Sequence, residues 1–292
     1  MPLSDEHLKS ISLEDTMFVI GSGPSLNKID VPLLKDLNTF GMNRQYIAFG
    51  AWGFSPKYYA ILDWRLIHKI YEEEVVPEML DNPECTTEKY FISNPGTAPE
   101  YVKEGGSTAD PNVDVREEHQ DKVILITTYS TRLSEDVLKK INLDAAFKKH
   151  EDDKGIFFRA SGGYGNCGVW ATTLSYVFGY KRVILLGIDA KYYGREKSIA
   201  LGYDVEHFHP LYFDPKEFKE LETHGEPDKW NGTFLWDYLK NHKDGLCNRP
   251  DFEIISCTPN SIINNDQDSG MFDYVDLKHL LKLHGVIESE EE

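Results

Sequence analysis

Glu206-His207-Phe208-His209-Pro210-Leu211-Tyr212-Phe213 sets two histidines one residue apart, with Glu206 and Tyr212 beside them. An imidazole titrates near neutrality, so His207 or His209 can accept the proton of a hydroxyl as that hydroxyl attacks an electrophile. The pair reads equally as ordinary loop histidines. Imidazole also binds zinc, but no third ligand stands at a recognised spacing, so a metal role is disfavoured. A second candidate lies near the start, where the apolar run Met17–Ile20 enters Gly21-Ser22-Gly23-Pro24-Ser25-Leu26. That pattern predicts a buried strand ending in a tight glycine turn, with Ser25 capping a helix whose first amides favour an anion. Asp63 follows the apolar run Tyr58–Leu62, and Asp189 follows Val183–Leu186 with Gly187-Ile188 between. A carboxylate at a strand's end stands at the rim where open parallel sheets collect ligands. Asp63 serves as well as a helix cap for Trp64 onward, and Asp189 could brace a loop.

These residues need a sheet to hold them, and the chain predicts one. Strands are expected at Met17–Ile20, Thr39–Asn43, Tyr58–Leu62, Val123–Thr128, Val183–Leu186 and Phe252–Cys257. Helices are expected at Val31–Leu37, Glu135–Lys149 behind Ser134, Gly168–Phe178 and Trp230–Lys240. Gly179-Tyr180 closes the third of these. Loop, helix and strand recur from Arg159 to Tyr193, as in a doubly wound α/β sheet of the Rossmann kind, mainly parallel, with helices on both faces. A dinucleotide unit would carry a third glycine after the first pair and an acidic residue at the end of the second strand. Leu26 and Asn43-Arg44 stand there instead, so redox use of NAD is disfavoured. Asn94–Gln120, rich in glycine, proline and acids, reads as a long excursion, and Glu72–Glu74 as a solvated helix face.

The 292 residues can bury a substantial core, and the formal net charge of −18 argues against nucleic acid as a partner. Cys85, Cys167, Cys247 and Cys257 form no CxxC pair and no zinc spacing, as expected of reduced thiols in the cytoplasm. The N-terminus lacks the basic and apolar regions of a signal peptide, and no apolar run reaches the length of a membrane span. Peripheral membrane association stays open. So does a homo-oligomer built on Trp52, Phe54, Tyr58 and Tyr59, although core packing is the stronger use for those aromatics. Residues 286–292 read as an acidic tail.

Four segments taken in order, IGSGPSLNKID (20–30), MNRQY (42–46), GYKRVILLGID (179–189) and CTPNS (257–261), resemble the bacterial sialyltransferases of glycosyltransferase family 42. They are also similar to the wider superfamily of motility accessory factors and hydroxymethylpterin diphosphokinase-like proteins, which shares an HFHPLYF-type segment after the GID strand. The resemblance runs from about Met17 to Ser261 and does not include Ala109–Lys149.

It implies one Rossmann-like domain over residues 1–292, with a lid-like, acceptor-side insertion over 190–250. It further implies metal-independent, inverting transfer of a sialic-acid-type sugar from a CMP-activated donor to a glycan or other hydroxyl. By motif, Gly21, Ser22, Gly23, Pro24 and Ser25 would lie against the donor phosphate and nucleotide. Asn43, Arg44 and Asp63 would meet donor polar groups, joined by Asn166, Cys167, Gly168, Gly187 and Asp189. Tyr192 and Tyr193 would steady the leaving phosphate, His207 or His209 would be the base, and Tyr212 would face the acceptor. The chain departs from the pattern in three places. Asp63 replaces an amide, Tyr164 stands in register where an arginine is expected, and the tyrosine segment is one residue longer. No cofactor beyond the donor is implied. The competing readings are an Mg-ATP-dependent diphosphokinase acting on a pterin-like alcohol, in which Asp63 and Asp189 would hold metal, and a nucleotide-binding module without catalysis.

Overall fold

The computed structural model describes residues 3–62, 75–93, 115–126, 166–190, 195–213, 234–241, 245–265 and 270–288. Asp63, Glu72–Glu74, most of the 94–120 excursion, the 135–149 helix, Arg159, Tyr164, Tyr192, Tyr193 and the end of the acidic tail lie outside them.

The fold is α/β, on an open sheet of seven strands. These are β1 (Thr16–Ile20), β2 (Thr39–Met42), β3 (Tyr58–Ile61), β4 (Lys89–Ser93), β5 (Val123–Ile126), β6 (Arg182–Leu186) and β7 (Glu253–Ser256). The chain gathers into two compact units, Met1–Val31 with Lys181–Glu292, and Pro32–Tyr180.

In the first unit β6 lies between β1 and β7, parallel to both, with Thr16 opposite Arg182 and Ile20 opposite Leu186. Every residue of β1 and β6 is buried, so both faces are covered, which is why these strands read as unbroken apolar runs. Arg182 is the charged exception. It is fully buried, and its guanidinium meets Glu253 Oε1 at 2.5 Å while donating to the carbonyls of Leu8 at 2.6 Å and His7 at 3.2 Å. The N-terminal helix Asp5–Lys9 is thereby tied to the sheet through its last carbonyls.

In the second unit the order is β2-β3-β4-β5, again parallel throughout. Helix Cys167–Val177 is buried along its whole length. The hydroxyls of Thr172, Thr173 and Ser175 are tolerated there because each donates to the carbonyl four residues back, at 2.7 to 2.8 Å. Trp170 of this helix packs on Phe40 and Phe91, with ring centroids 6.2 and 5.3 Å apart. Trp52, Phe54 and Tyr59 are buried.

Several expected elements change. Val31–Leu37 is a single 3-10 turn, Val31–Leu34. Ser25 caps nothing: Gly23 precedes a 3-10 turn, Pro24–Lys28, and Ser25 lies inside it. Strand β4 and the helices Asp5–Lys9 and Leu277–Leu283 add to the elements expected from the sequence. Among the described residues no helix is long and apolar enough to cross a membrane.

Candidate functional site

The turn after β1 is held by the turn after β6. Gly21 N donates to Leu186 O at 2.6 Å and Gly23 N to Gly187 O at 2.8 Å. Asp189 then reaches back, its Oδ2 accepting from Ser25 Oγ at 2.7 Å and Ser25 N at 3.2 Å. Burial raises the Asp189 carboxyl above its ordinary value, opposed by those two donors and by the Lys28 charge. The glycine at position 23 answers to space, not to backbone freedom. Its φ is −71°, open to any residue, but a Cβ there would stand 1.9 Å from Asp189 Oδ2 and 2.8 Å from Gly187 O. The amides of Gly21, Gly23 and Ser25 are therefore engaged by protein acceptors. As it stands the loop is a clasp between two strand ends and not a cradle of free N–H groups. The late Thr258-Pro259-Asn260-Ser261 turn braces the same rim, Thr258 Oγ1 accepting from Ile188 N at 3.2 Å and Ser261 Oγ donating to Ile188 O at 2.6 Å.

The histidine segment is seated on this clasp, within the same unit. Phe208 N donates to Ser22 O at 3.0 Å, and Tyr212 Oη to Ser22 Oγ at 3.1 Å. Asp204, its side chain fully buried, organises the loop by accepting from Glu206 N at 2.8 Å and His207 N at 3.2 Å on Oδ1. Its other oxygen, Oδ2, lies 2.8 Å from His207 Nδ1. A carboxylate at that distance fixes the proton on Nδ1 and leaves the lone pair on Nε2. The His207 ring also stacks on Tyr212, centroids 4.1 Å apart and 5° from parallel. His209 is set the other way. Its Nδ1 accepts from Leu211 N at 3.2 Å, so the neutral ring carries its proton on Nε2 and presents a donor. The two histidines that the sequence leaves equivalent are thus chemically opposite: His207 offers an acceptor nitrogen, His209 an N–H.

Tyr212 is 2% exposed, its ring stacked on His207, and its neighbour Leu211 is 76% exposed. Asp204 is the candidate site residue that the sequence reading misses. The signal that could have found it is its spacing, three residues before His207, the reach of a carboxylate that closes a turn on the next N–H groups.

The second unit carries its own group. Asn43 adopts φ +52°, and its carbonyl accepts from Tyr59 Oη at 2.6 Å. Cys167 Sγ donates to Asn43 Oδ1 at 3.3 Å. Asn166 caps the helix, its Oδ1 taking Val169 N at 3.1 Å, and Gly168 is buried inside the first turn. Arg44 is buried. The structure thus brings Gly21–Ser25, Gly187, Asp189, His207 and Tyr212 together in one unit, and Asn43 with Cys167 in the other. Asp63, Tyr192 and Tyr193 fall outside the described residues. Among the described residues no three His, Cys, Asp or Glu side chains are grouped to hold a metal ion.

No family model and no curated protein matches the chain. Solved structures similar to it are sialyltransferases. CstII from Campylobacter jejuni in complex with CMP is 19% identical, over 88% of this chain and 85% of that one, with a TM-score of 0.45. A complex of CST-II with a trisaccharide acceptor and CMP is 19% identical over 88% and 86%, at 0.46. The monofunctional α-2,3-sialyltransferase Cst-I from Campylobacter jejuni is 14% identical over 92% and 82%, at 0.49.

Proposed function

We propose that the chain is a sialyltransferase-like glycosyltransferase that moves a sialic-acid-type sugar from a CMP-activated donor to a hydroxyl of a glycan or similar acceptor, by single, inverting displacement without metal. The observation that carries this reading is the Asp204–His207 pair on the glycine clasp, because it supplies what such a transfer requires, a general base of fixed tautomer. The ordered motifs from Ile20 to Ser261 support the choice of donor.

The acceptor hydroxyl gives its proton to His207 Nε2 as its oxygen attacks the anomeric carbon. The bond from that carbon to the phosphate oxygen breaks, and CMP leaves with the electron pair. Asp204 holds the imidazolium that forms, as an ionised carboxylate does for a histidine base. His209, with its proton on Nε2, cannot act as the base through that nitrogen in its neutral form. It is suited to donate a hydrogen bond to an anionic group of the donor, alongside the roles proposed for Tyr192 and Tyr193 on the leaving phosphate. The Gly21–Ser25 turn contributes through Ser22, Ser25 and the Asp189 carboxylate, whose acceptor oxygens suit sugar hydroxyls. Asn43 offers an amide N–H to a donor oxygen.

The test is a thermal-shift comparison of CMP, CDP, UDP, Mg-ATP and NAD, followed by CMP release from CMP-sugars with and without chelator. A ligand that binds the folded chain raises its apparent stability. Stabilisation by CMP without metal, with chelator-insensitive turnover lost in His207→Ala and not in His209→Gln, is the expected outcome. Selective stabilisation by Mg-ATP with AMP release would replace this reading by pyrophosphate transfer. Tight nucleotide binding with no turnover would make the chain a binding module.

A further inference from the structure

Asn43 is held at three points, and the way it is held decides which half of its amide is available. Its backbone lies in the left-handed region at φ +52°, a conformation that asparagine tolerates but that persists only where the surroundings impose it. Tyr59 imposes it: the phenol donates to Asn43 O at 2.6 Å, contacts Met42 O at 3.3 Å, and accepts from Tyr46 N at 3.0 Å, pinning the backbone on both sides of the residue. The side chain is fixed by a different element. Cys167, 5% exposed at the first turn of helix Cys167–Val177, directs its thiol at Asn43 Oδ1 from 3.3 Å. The start of that helix is itself set by the Asn166 cap.

With the thiol as donor to Oδ1, the amide is turned with its oxygen toward Cys167. The oxygen faces Cys167, and the half-buried Asn43 presents Nδ2 on the other side of its amide. Resting on the CMP-sugar reading above, we infer that Cys167 is a positioning residue: it touches no substrate but orients the Asn43 amide so that Nδ2 donates to an anionic oxygen of the donor, a carboxylate or a phosphate. By motif alone the Cys167 side chain would lie against the nucleotide. Its thiol is directed at Asn43 Oδ1.

The inference separates Cys167→Val, which keeps the bulk and removes the donor, from Cys167→Ser, which restores an O–H toward the same oxygen. In the ligand-free chain, the side-chain amide protons of Asn43, assigned through Asn43→Asp, should give one well-dispersed pair in the wild type. The pair should be retained in Cys167→Ser and collapsed toward the solvent-exposed position in Cys167→Val. Calorimetry with CMP and with a CMP-activated nonulosonate should show the sugar nucleotide or CMP bound about tenfold more weakly by Cys167→Val, the loss of one ordinary hydrogen bond, and recovery in Cys167→Ser. Thermal midpoints of both variants identify a folding defect, and if Cys167→Val does not fold, Cys167→Ala carries the same comparison. Unchanged Asn43 signals in Cys167→Val, or wild-type affinity in a folded Cys167→Val, would overturn the positioning role. If the Asn43 signals move as expected but the wild type binds neither nucleotide, the CMP-sugar reading fails and the control of the amide by Cys167 stands.

Discussion

Replacing Asp204 by asparagine reverses the proton on His207 without emptying any space. In the native loop Oδ1 accepts two backbone N–H groups, from Glu206 at 2.8 Å and His207 at 3.2 Å, and the variant keeps both through its side-chain carbonyl. Where Oδ2 now lies 2.8 Å from His207 Nδ1, Asp204→Asn places an NH2 group. Two donors cannot face each other, so the ring moves its proton to Nε2 and accepts at Nδ1. The nitrogen that would take the acceptor's proton is then blocked. Catalysis should fall by about 10³–10⁴-fold, the size expected when a base is held in the wrong tautomer, or about 4–5.5 kcal/mol at roughly 1.4 kcal/mol per decade. Stability should fall by much less, about 1.5–3 kcal/mol for one hydrogen bond to a buried charged group. The assay is turnover of a CMP-sugar to free CMP, read beside nitrogen NMR of the His207 ring, which reports Nδ1–H in the wild type and Nε2–H in Asp204→Asn. A wild-type ring already protonated at Nε2, or an Asp204→Asn enzyme within tenfold of wild type, would refute the reasoning.

Gly23→Ala drives a Cβ to within 1.9 Å of Asp189 Oδ2 and must break its bonds to Ser25, so chemical denaturation should show a loss of about 2–4 kcal/mol, two charge-assisted bonds less what the loop recovers by shifting. Gly50→Ala is the control: it stands in a short helix with nothing within 4 Å of the added carbon and should be neutral or stabilising by about 0.4–1 kcal/mol. Asp189, its carboxyl raised by burial, binds more protons folded than unfolded just above the ordinary carboxylate range. Its contribution to stability is therefore present at low pH and lost as pH rises through its folded value, and Asp189→Asn should flatten that limb of the pH–stability curve. Arg182→Met leaves Glu253 with His7 as its remaining ion-pair partner and removes the guanidinium from the carbonyls of His7 and Leu8, which keep Ser10 and His284 as partners, a loss of about 3 kcal/mol by urea denaturation. Full stability in that variant would show that the N-terminal helix does not depend on the ion pair.

The sheet is legible wherever burial on both faces writes a continuous apolar run. Met17–Ile20 and Val183–Leu186 correspond to β1 and β6 within a residue, and Gly179, at φ +90°, follows the end of the helix expected before β6. Arg182 escapes because an arginine argues for the surface unless its partners are known, and Glu253 lies 71 residues further on. Strand β4 escapes for a related reason. Its sequence KYFIS, residues 89–93, opens on the charged Lys89 and closes on Ser93, which leaves three apolar residues in a row and no alternation to mark a strand.

The site is half legible, and the division follows distance along the chain. Residue types carry over: the glycine turn, the GID rim and the two histidines all stand out from local pattern. Their partners do not, because Ser25 meets Asp189 across 164 positions and Tyr212 meets Ser22 across 190. Those partners change the chemistry assigned to the types. A glycine–serine turn read alone promises free amides to an anion, but with Gly187 and Asp189 in place the same amides are satisfied and the turn becomes a support for the histidine loop. Two histidines read alone are interchangeable, yet one carboxylate and one backbone N–H give them opposite tautomers. The chemistry open to each of these side chains therefore resides less in which residues are present than in which nitrogen or oxygen of each is already engaged, and that is decided by contacts the local pattern does not contain.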